Sequence, residues 1–229
     1  MLQSAPIFDL VALLWFGTLI CVYWLVTGYE PFASRTIVAA VQRQREQWMR
    51  NIARRDNRIV DAQLLGSLSQ GNAFFASTSA IAVGGLAALM GSAEKIQAML
   101  ERLPFVASPS VLLEIKLLLL ITIFIFAFFK FAWAFRLSHY AAIMIGSTPI
   151  LGEGSPDACE SHALGTARLV GIAAERTNAG LRSFYYAIAA MAWFFHPLAF
   201  ILVATWVLLI LVRRDFFSRS RRLLSAAGL

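Results

Sequence analysis

The sequence predicts an all-α integral membrane protein, a four-helix bundle with amphipathic helices at the membrane interface. Apolar residues make up 59% of the chain and charged residues only 14%, and the mean hydropathy is +0.68. A bilayer core requires about 20 helical residues to cross, and only helices or closed barrels satisfy their own backbone in lipid. Four apolar stretches meet that requirement and predict one membrane domain over residues 1–229, with spans at 7–26, 73–91, 115–136 and 184–212.

The first span has marks of both membrane interfaces. Asp9 lies at its entrance, and Tyr23, Trp24 and Tyr29 form an aromatic belt at its exit, where Trp and Tyr prefer to lie. The chain begins without the basic segment and small-residue cleavage site of a secretory signal. We therefore expect the first apolar stretch to be retained.

Residues 31–62 predict a basic amphipathic helix. Apolar residues recur along this segment in steps of four and seven, which keeps them on one helical face; they are Ile37, Val41, Trp48, Ile52 and Ile59. The segment also carries seven arginines: Arg35, Arg43, Arg45, Arg50, Arg54, Arg55 and Arg58. A basic helix of this kind lies in the interface plane, so we expect it to bind membrane lipids through their anionic headgroups. No nucleic-acid motif accompanies the basic charge, and no nucleic-acid partner is expected.

The second span is rich in small residues. Residues with small side chains step by three and four along it: Ala73, Ser77, Ala80, Gly84, Ala87 and Gly91. Such stripes let helices approach closely in lipid, so we expect this span to be the central packing helix. We expect it to be joined to the third span by a nearly neutral connection over residues 92–110.

The region after the third span predicts a helical loop and then a long fourth span. Ser155, Pro156 and Asp157 supply a capping residue, a first-turn proline and an acid near the helix N-terminus. This pattern predicts a helix over residues 156–178, with a break at Gly180. The fourth span is longer than a bilayer requires, and Pro197 offers a bend.

Basic residues favour an orientation with the N-terminus outside. Basic loops stay in the cytoplasm, which places loops 27–63 and 137–183 there. Four spans would put the tail outside, so eleven arginines in and beside those loops compare with seven basic residues on the opposite side, five of them in the tail. The basic tail therefore weakens the assignment.

Polar residues within or beside the spans are the candidate functional positions, since charges in a membrane are expensive and often functional. They are Asn72, Lys116, Lys130, Arg136, Arg182 and His196. Lys130 either snorkels to the headgroups or lines a polar cavity, and Lys116 is interpreted as an interfacial end marker. His196 suits a helix–helix hydrogen bond better than haem ligation, because His139 lies at a different depth.

We expect no catalytic, cofactor or metal site, and an enzyme is the least supported class. Asp157, Cys159, Glu160 and His162 cluster at a helix start, but no second ligand pair accompanies them, so a solvated helix turn is the better interpretation. The chain has no phosphate-binding loop, dinucleotide fingerprint, nucleophile elbow or zincin helix.

Three segments resemble a family of four-span membrane proteins of bacteria and plants that is known only as a domain of unknown function. They cover residues 56–86, 116–140 and 180–200, with polar positions Asp61, Gln63, Ser67, Asn72, Lys116, Arg136, Asn178 and Arg182. The resemblance implies an all-helical membrane fold and brings no activity. We expect the protein to lie in the bacterial inner membrane.

Two function classes remain open at this point. A structural, accessory or assembly component of the membrane agrees with the small-residue stripe and the lack of catalytic motifs. A small oligomeric transporter or channel for a small solute, an anion among the candidates, would use the intramembrane charges. A homo-oligomer or a membrane-complex partner is expected, and the transporter class would require oligomerisation because four spans form only a small pore.

Overall fold

The computed structural model describes residues 5–29, 36–55, 57–92, 110–149 and 155–226. Its elements are the helices α1 (Ala5–Gly28), α2 (Ile37–Ala53), α3 (Ile59–Met90), α4 (Ser110–Gly146), α5 (Pro156–Ala192), α6 (Pro197–Phe217) and α7 (Arg219–Ala226). No strand occurs among the described residues, which confirms the all-α prediction. The expected start of the basic segment (31–35) and most of the connection between the second and third spans (93–109) lie outside the described residues.

Four helices are long and apolar enough to cross a membrane, as predicted. They are Ile7–Gly28, Ile59–Met90, Leu112–Gly146 and Pro197–Leu224. The second and third exceed the predicted spans because no proline interrupts them. α3 and α4 therefore continue into the polar residues that flank each apolar stretch. Polar residues can be helical when their side chains find hydrogen-bond partners.

The fourth apolar stretch is divided between two helices. α5 passes through Gly180 and ends at Ala192, and α6 begins at Pro197, so the predicted break at Gly180 is wrong. Proline disfavours helical structure in the residue before it and suits the first position of a new helix. The last turn of α5 tightens at the same place, because Trp193 N donates to Ala190 O at 3.1 Å.

Two compact units divide the chain, and α3, α4, α5 and α6 each contribute residues to both. The first unit contains Met1–Ala33, Thr78–Ala127 and Leu181–Arg214, and the second contains Ser34–Ser77, Phe128–Gly180 and Asp215–Leu229. The expectation that residues 1–229 form one membrane domain stays a prediction.

The first unit packs α1 against the C-terminal part of α5 in opposite directions. Phe16 meets Tyr186 edge to face at 6.1 Å between ring centroids. Seven residues further along α1, Tyr23 lies under the Arg182 guanidinium at 5.6 Å. Small buried residues on α5, including Ala187 and Ala190, let the two backbones approach, which is the usual route to helix association in lipid.

α6 runs in the same direction as α1 within the first unit. The Phe16 ring lies 5.0 Å from that of Phe200, and Trp15 donates from Nε1 to Thr205 Oγ1 at 3.0 Å. Since Asp9 contacts Trp193 just before α6 begins, both helices start at the same end of the unit and both end at the other.

The second unit encloses the apolar face of α2. Met49 and Ile52 are buried together with residues of the three long helices: Leu65, Ala141, Ile145, Ala163, Ala167 and Val170. Gln42 Nε2 also donates to Ala167 O at 3.2 Å. The part of the predicted interface face that contains Trp48 and Ile52 therefore packs against protein, whereas Ile59 begins α3 and is exposed. An apolar stripe does not distinguish lipid from a protein core.

The C-terminal tail lies beside the basic segment. α7 packs against α2, and Gln44 Nε2 donates to Leu224 O at 3.4 Å. α7 therefore lies beside the basic helix α2 within the second unit. The side of the membrane on which the tail lies relative to the N-terminus stays a prediction.

α3 is the least covered of the four apolar helices. In its most apolar window 11% of residues are buried, against 22–28% in the other three. Its small residues Ala80, Gly84, Ala87 and Gly91 are all exposed. The expectation of a central packing helix is therefore wrong for the single chain, because small side chains permit close packing without specifying which helix supplies it.

Candidate functional site

A buried ionic cluster joins three parts of the first unit. Asp9 comes from the first turns of α1, Lys116 from the start of α4, and Trp193 from the break between α5 and α6. Their exposed fractions are 6%, 2% and 1%. We call these three residues the Asp9 cluster.

The geometry of the Asp9 cluster satisfies its carboxylate. Trp193 Nε1 donates to Asp9 Oδ1 at 2.6 Å, a short charge-assisted hydrogen bond. Lys116 Nζ lies 3.9 Å from the same oxygen and 5.4 Å from the centre of the Trp193 ring. The ammonium is therefore stabilised by both a carboxylate and an aromatic face.

An intramembrane ion pair of this kind can do two things chemically. It can fix the register of helices, because separating the two charges in apolar surroundings is costly. It can also exchange a proton or release a counter-ion when one partner moves. The pair lies at the ends of α1 and α4 rather than at their middles, a position that suits the first role better.

Sequence reasoning identified Lys116 but not its partners. The interpretation of Lys116 as an interfacial end marker is wrong, because the side chain is buried and paired. The available signal was the similar depth of Asp9 and Lys116, each within the first few residues of an apolar helix. Trp193 carried no signal of its own among the aromatic residues that surround it.

A second carboxylate, Asp61, is buried in the second unit at the start of α3. Trp48 Nε1 donates to Asp61 Oδ1 at 2.7 Å, and Arg55 Nη1 lies 3.2 Å from the same oxygen. Asp61 is 1% exposed, while its Oδ2 has no partner among the described residues. An acid in the first turn of a helix also interacts favourably with the helix dipole.

Arg58, just before α3, and Asn72, on α3, make further polar contacts in the second unit. Arg58 donates to Thr148 O at 2.6 Å and to Pro149 O at 3.2 Å, which satisfies carbonyls just after the end of α4. Asn72, a predicted site residue, is buried and accepts a hydrogen bond from Thr177 Oγ1 at 2.7 Å. These contacts hold α3 against α4 and α5.

The other predicted site residues lie at separate places. Lys130 is half-buried on α4, and no ion pair to it occurs in the described parts of the chain. Arg136 is exposed and donates to the Tyr140 hydroxyl at 3.0 Å, while Arg182 lies over Tyr23. The exposed His196 accepts a hydrogen bond from Leu198 N at 3.1 Å and thus caps α6 instead of bridging helices.

The cluster at the start of α5 is held by individual contacts. Within the described residues, no group of three His, Cys, Asp or Glu side chains is placed to hold a metal. His162 Nε2 lies 2.8 Å from Met144 O, Cys159 is buried, and Glu160 accepts a hydrogen bond from Arg50 Nε at 2.7 Å. These side chains fix α5 against its neighbours in the second unit.

Two arginines of α2 have perturbed pKa values. The hydrogen bond with Glu160 raises the pKa of Arg50 above its usual value. Burial lowers the pKa of Arg45, and the charge of Glu175 partly opposes that effect. Since arginine titrates far above neutral pH, both guanidinium groups carry charge under physiological conditions.

Comparison with known proteins gives a family without an assigned activity. A family described as "Protein of unknown function, DUF599" matches residues 11–220. No curated protein and no solved structure matches the chain. The matched region contains Asp61 and its partners, and it contains Lys116 and Trp193 of the Asp9 cluster. Asp9 itself precedes the matched region by two residues. The chain therefore belongs to the DUF599 family of proteins of unknown function.

Proposed function

We propose that this protein is a structural or accessory component of the bacterial inner membrane that uses α3 to pack against a transmembrane helix of another subunit or a second copy. The observation that carries the proposal is the exposed face of α3, where Ala80, Gly84 and Ala87 lie one turn apart. Small side chains at that spacing favour close helix contacts in lipid. Lipid tails alone do not require them.

The buried charges support the same role. The Asp9 cluster and the Asp61 contacts each connect different helices within one unit. Such contacts hold the helices in one arrangement, as a scaffold requires. Among the four apolar helices, α3 has the smallest buried share and therefore the most surface available to a neighbouring helix.

We also propose that the N-terminus is outside the cell and that α2 and α7, with the arginines that they carry, are on the cytoplasmic side. α6 runs with α1 in the first unit, and α7 contacts α2 in the second. Both observations support a tail on the side of the basic segment, which removes the conflict in the charge count. α5 then crosses the membrane as a fifth, less apolar pass, with its C-terminal part covered by α1 and α6.

Two glycine substitutions of equal size test the packing role. An added Cβ would meet nothing within 4 Å at either Gly84 or Gly17, and both residues are exposed on apolar helices. Gly84→Leu should therefore leave the chain folded but block a neighbour at α3. Gly17→Leu is the control on α1.

The measurement is mild solubilisation from native membranes, followed by mass determination and identification of co-purifying proteins. We expect the wild type and Gly17→Leu to retain a stoichiometric neighbour and Gly84→Leu to lose it. A wild type that is monomeric and without a partner in native lipid would contradict the proposal. Equal retention by Gly84→Leu would do the same.

A small oligomeric transporter or channel for an anion is the second candidate, and the buried Lys116 favours it. Intramembrane cations often mark ion pathways, and this lysine is 2% exposed. Reconstitution into vesicles and measurement of chloride flux tests it. Flux that Lys116→Met abolishes, while Lys130→Met leaves it unchanged, would support transport over the accessory role.

A further inference from the structure

The short helix α7 has the chemistry of a membrane-surface anchor. It follows α6 after the single residue Ser218, and Ser218 Oγ accepts from Arg221 N at 3.1 Å, which caps the helix start. Because α6 is apolar enough to cross a membrane, a helix joined to its end by one residue lies close to the lipid headgroups.

One face of α7 combines free cations with exposed apolar side chains. Arg219, Arg222 and Leu223 are spaced by three and four residues, so they share a helical face. Leu223 is 63% exposed, and Phe217 just before the helix is 73% exposed. Within the described residues, neither guanidinium makes a hydrogen bond or an ion pair, whereas Arg221 donates to Phe216 O at 2.6 Å.

The opposite face of α7 is already occupied. Leu224 accepts the hydrogen bond from Gln44 of α2, and Arg221 satisfies a carbonyl at the end of α6. The helix is therefore fixed in orientation by the second unit. Its exposed basic and apolar face remains available for a ligand.

We propose that Arg219, Arg222, Leu223 and Phe217 form a binding site for anionic phospholipid, with the guanidinium groups on the headgroup phosphate and the apolar side chains at the acyl boundary. Arginine binds phosphate in a bidentate manner. Basic residues beside a crossing helix recognise anionic lipid. This site differs from the apolar face of α2, which is covered by protein.

Lipid titration of the detergent-solubilised full chain tests the site. Phosphatidylglycerol and phosphatidylcholine with the same acyl chains are added, and bound lipid is counted by native mass spectrometry. We expect preference for phosphatidylglycerol, and each arginine should contribute about fivefold to its affinity. The double variant Arg219→Gln/Arg222→Gln should lose both contributions.

Matched variants separate the site from general charge. Arg43→Gln/Arg54→Gln removes two exposed arginines, one on α2 and one at its C-cap, and should leave the lipid preference intact. Arg219→Lys/Arg222→Lys should retain most of it. Equal binding of both lipids by the wild type, or equal loss in the α2 variant, would overturn the proposal. Complete displacement of the lipid by equimolar glycerol 1-phosphate, or by a single-stranded oligonucleotide, would also overturn it.

Discussion

Removal of the Lys116 charge should destabilise the protein through the carboxylate that remains. Lys116 Nζ lies 3.9 Å from Asp9 Oδ1, and at an effective dielectric constant of about 20 the attraction between unit charges at this separation is about 4 kcal/mol. Desolvation offsets much of that gain in the intact pair. Breaking a buried pair from one side nevertheless costs about 3–5 kcal/mol, because an unpaired charge stays buried.

The double variant Asp9→Asn/Lys116→Met should be more stable than Lys116→Met alone. The amide oxygen that replaces the carboxylate can still accept the hydrogen bond from Trp193 Nε1, while the stranded negative charge is gone. Reversible unfolding in mixed detergent micelles measures the free energy of unfolding for the two single variants, the double variant and the wild type. The coupling energy should exceed about 1 kcal/mol, as expected for residues in contact.

Lys130→Met is the matched control, since it makes the same change on the same helix at a half-buried lysine. We expect it to cost less than about 1 kcal/mol, within the range of an ordinary substitution. Additive effects of Asp9→Asn and Lys116→Met would refute the argument. So would equal destabilisation by Lys116→Met and Lys130→Met.

Gly180→Ala should lower stability by about 1–3 kcal/mol, as overpacking does, because the added Cβ would lie 2.6 Å from the buried Phe131 ring. Gly66→Ala, where nothing lies within 4 Å, should be neutral or stabilising, and thermal unfolding of both variants checks the difference. His196→Ala should cost about 1 kcal/mol through loss of a cap on α6, whereas His196→Asn should retain most of the cap. Equal losses for the two His196 variants in the same unfolding assay would contradict the capping role.

The apolar stretches predicted the fold class well because length and hydropathy are local properties. They failed at Gly180, where the predicted break does not occur, whereas the bend predicted at Pro197 lies where α6 begins. The helix predicted over residues 156–178 continues through Gly180 to Ala192, because a single glycine lowers helix propensity without ending a helix.

The candidate site could be predicted only in part, because its members are far apart in the chain. Lys116 was identifiable as a charge in an apolar helix. Its pairing with Asp9 and Trp193 depends on the register of three helices, which no local pattern encodes. Likewise, the apolar face of α2 was visible in the spacing of Val41, Trp48 and Ile52, but the spacing could not distinguish a protein core from lipid.

Side-specific labelling of introduced cysteines tests the membrane arrangement most directly. In a chain with Cys21 and Cys159 replaced by serine, single cysteines at Asn57, Ser92 and Ser220 are exposed to an impermeant maleimide in intact spheroplasts. We expect Ser92→Cys to be labelled in intact cells, and Asn57→Cys and Ser220→Cys only after lysis. Labelling of Ser220→Cys from outside while Asn57→Cys stays protected would contradict the arrangement.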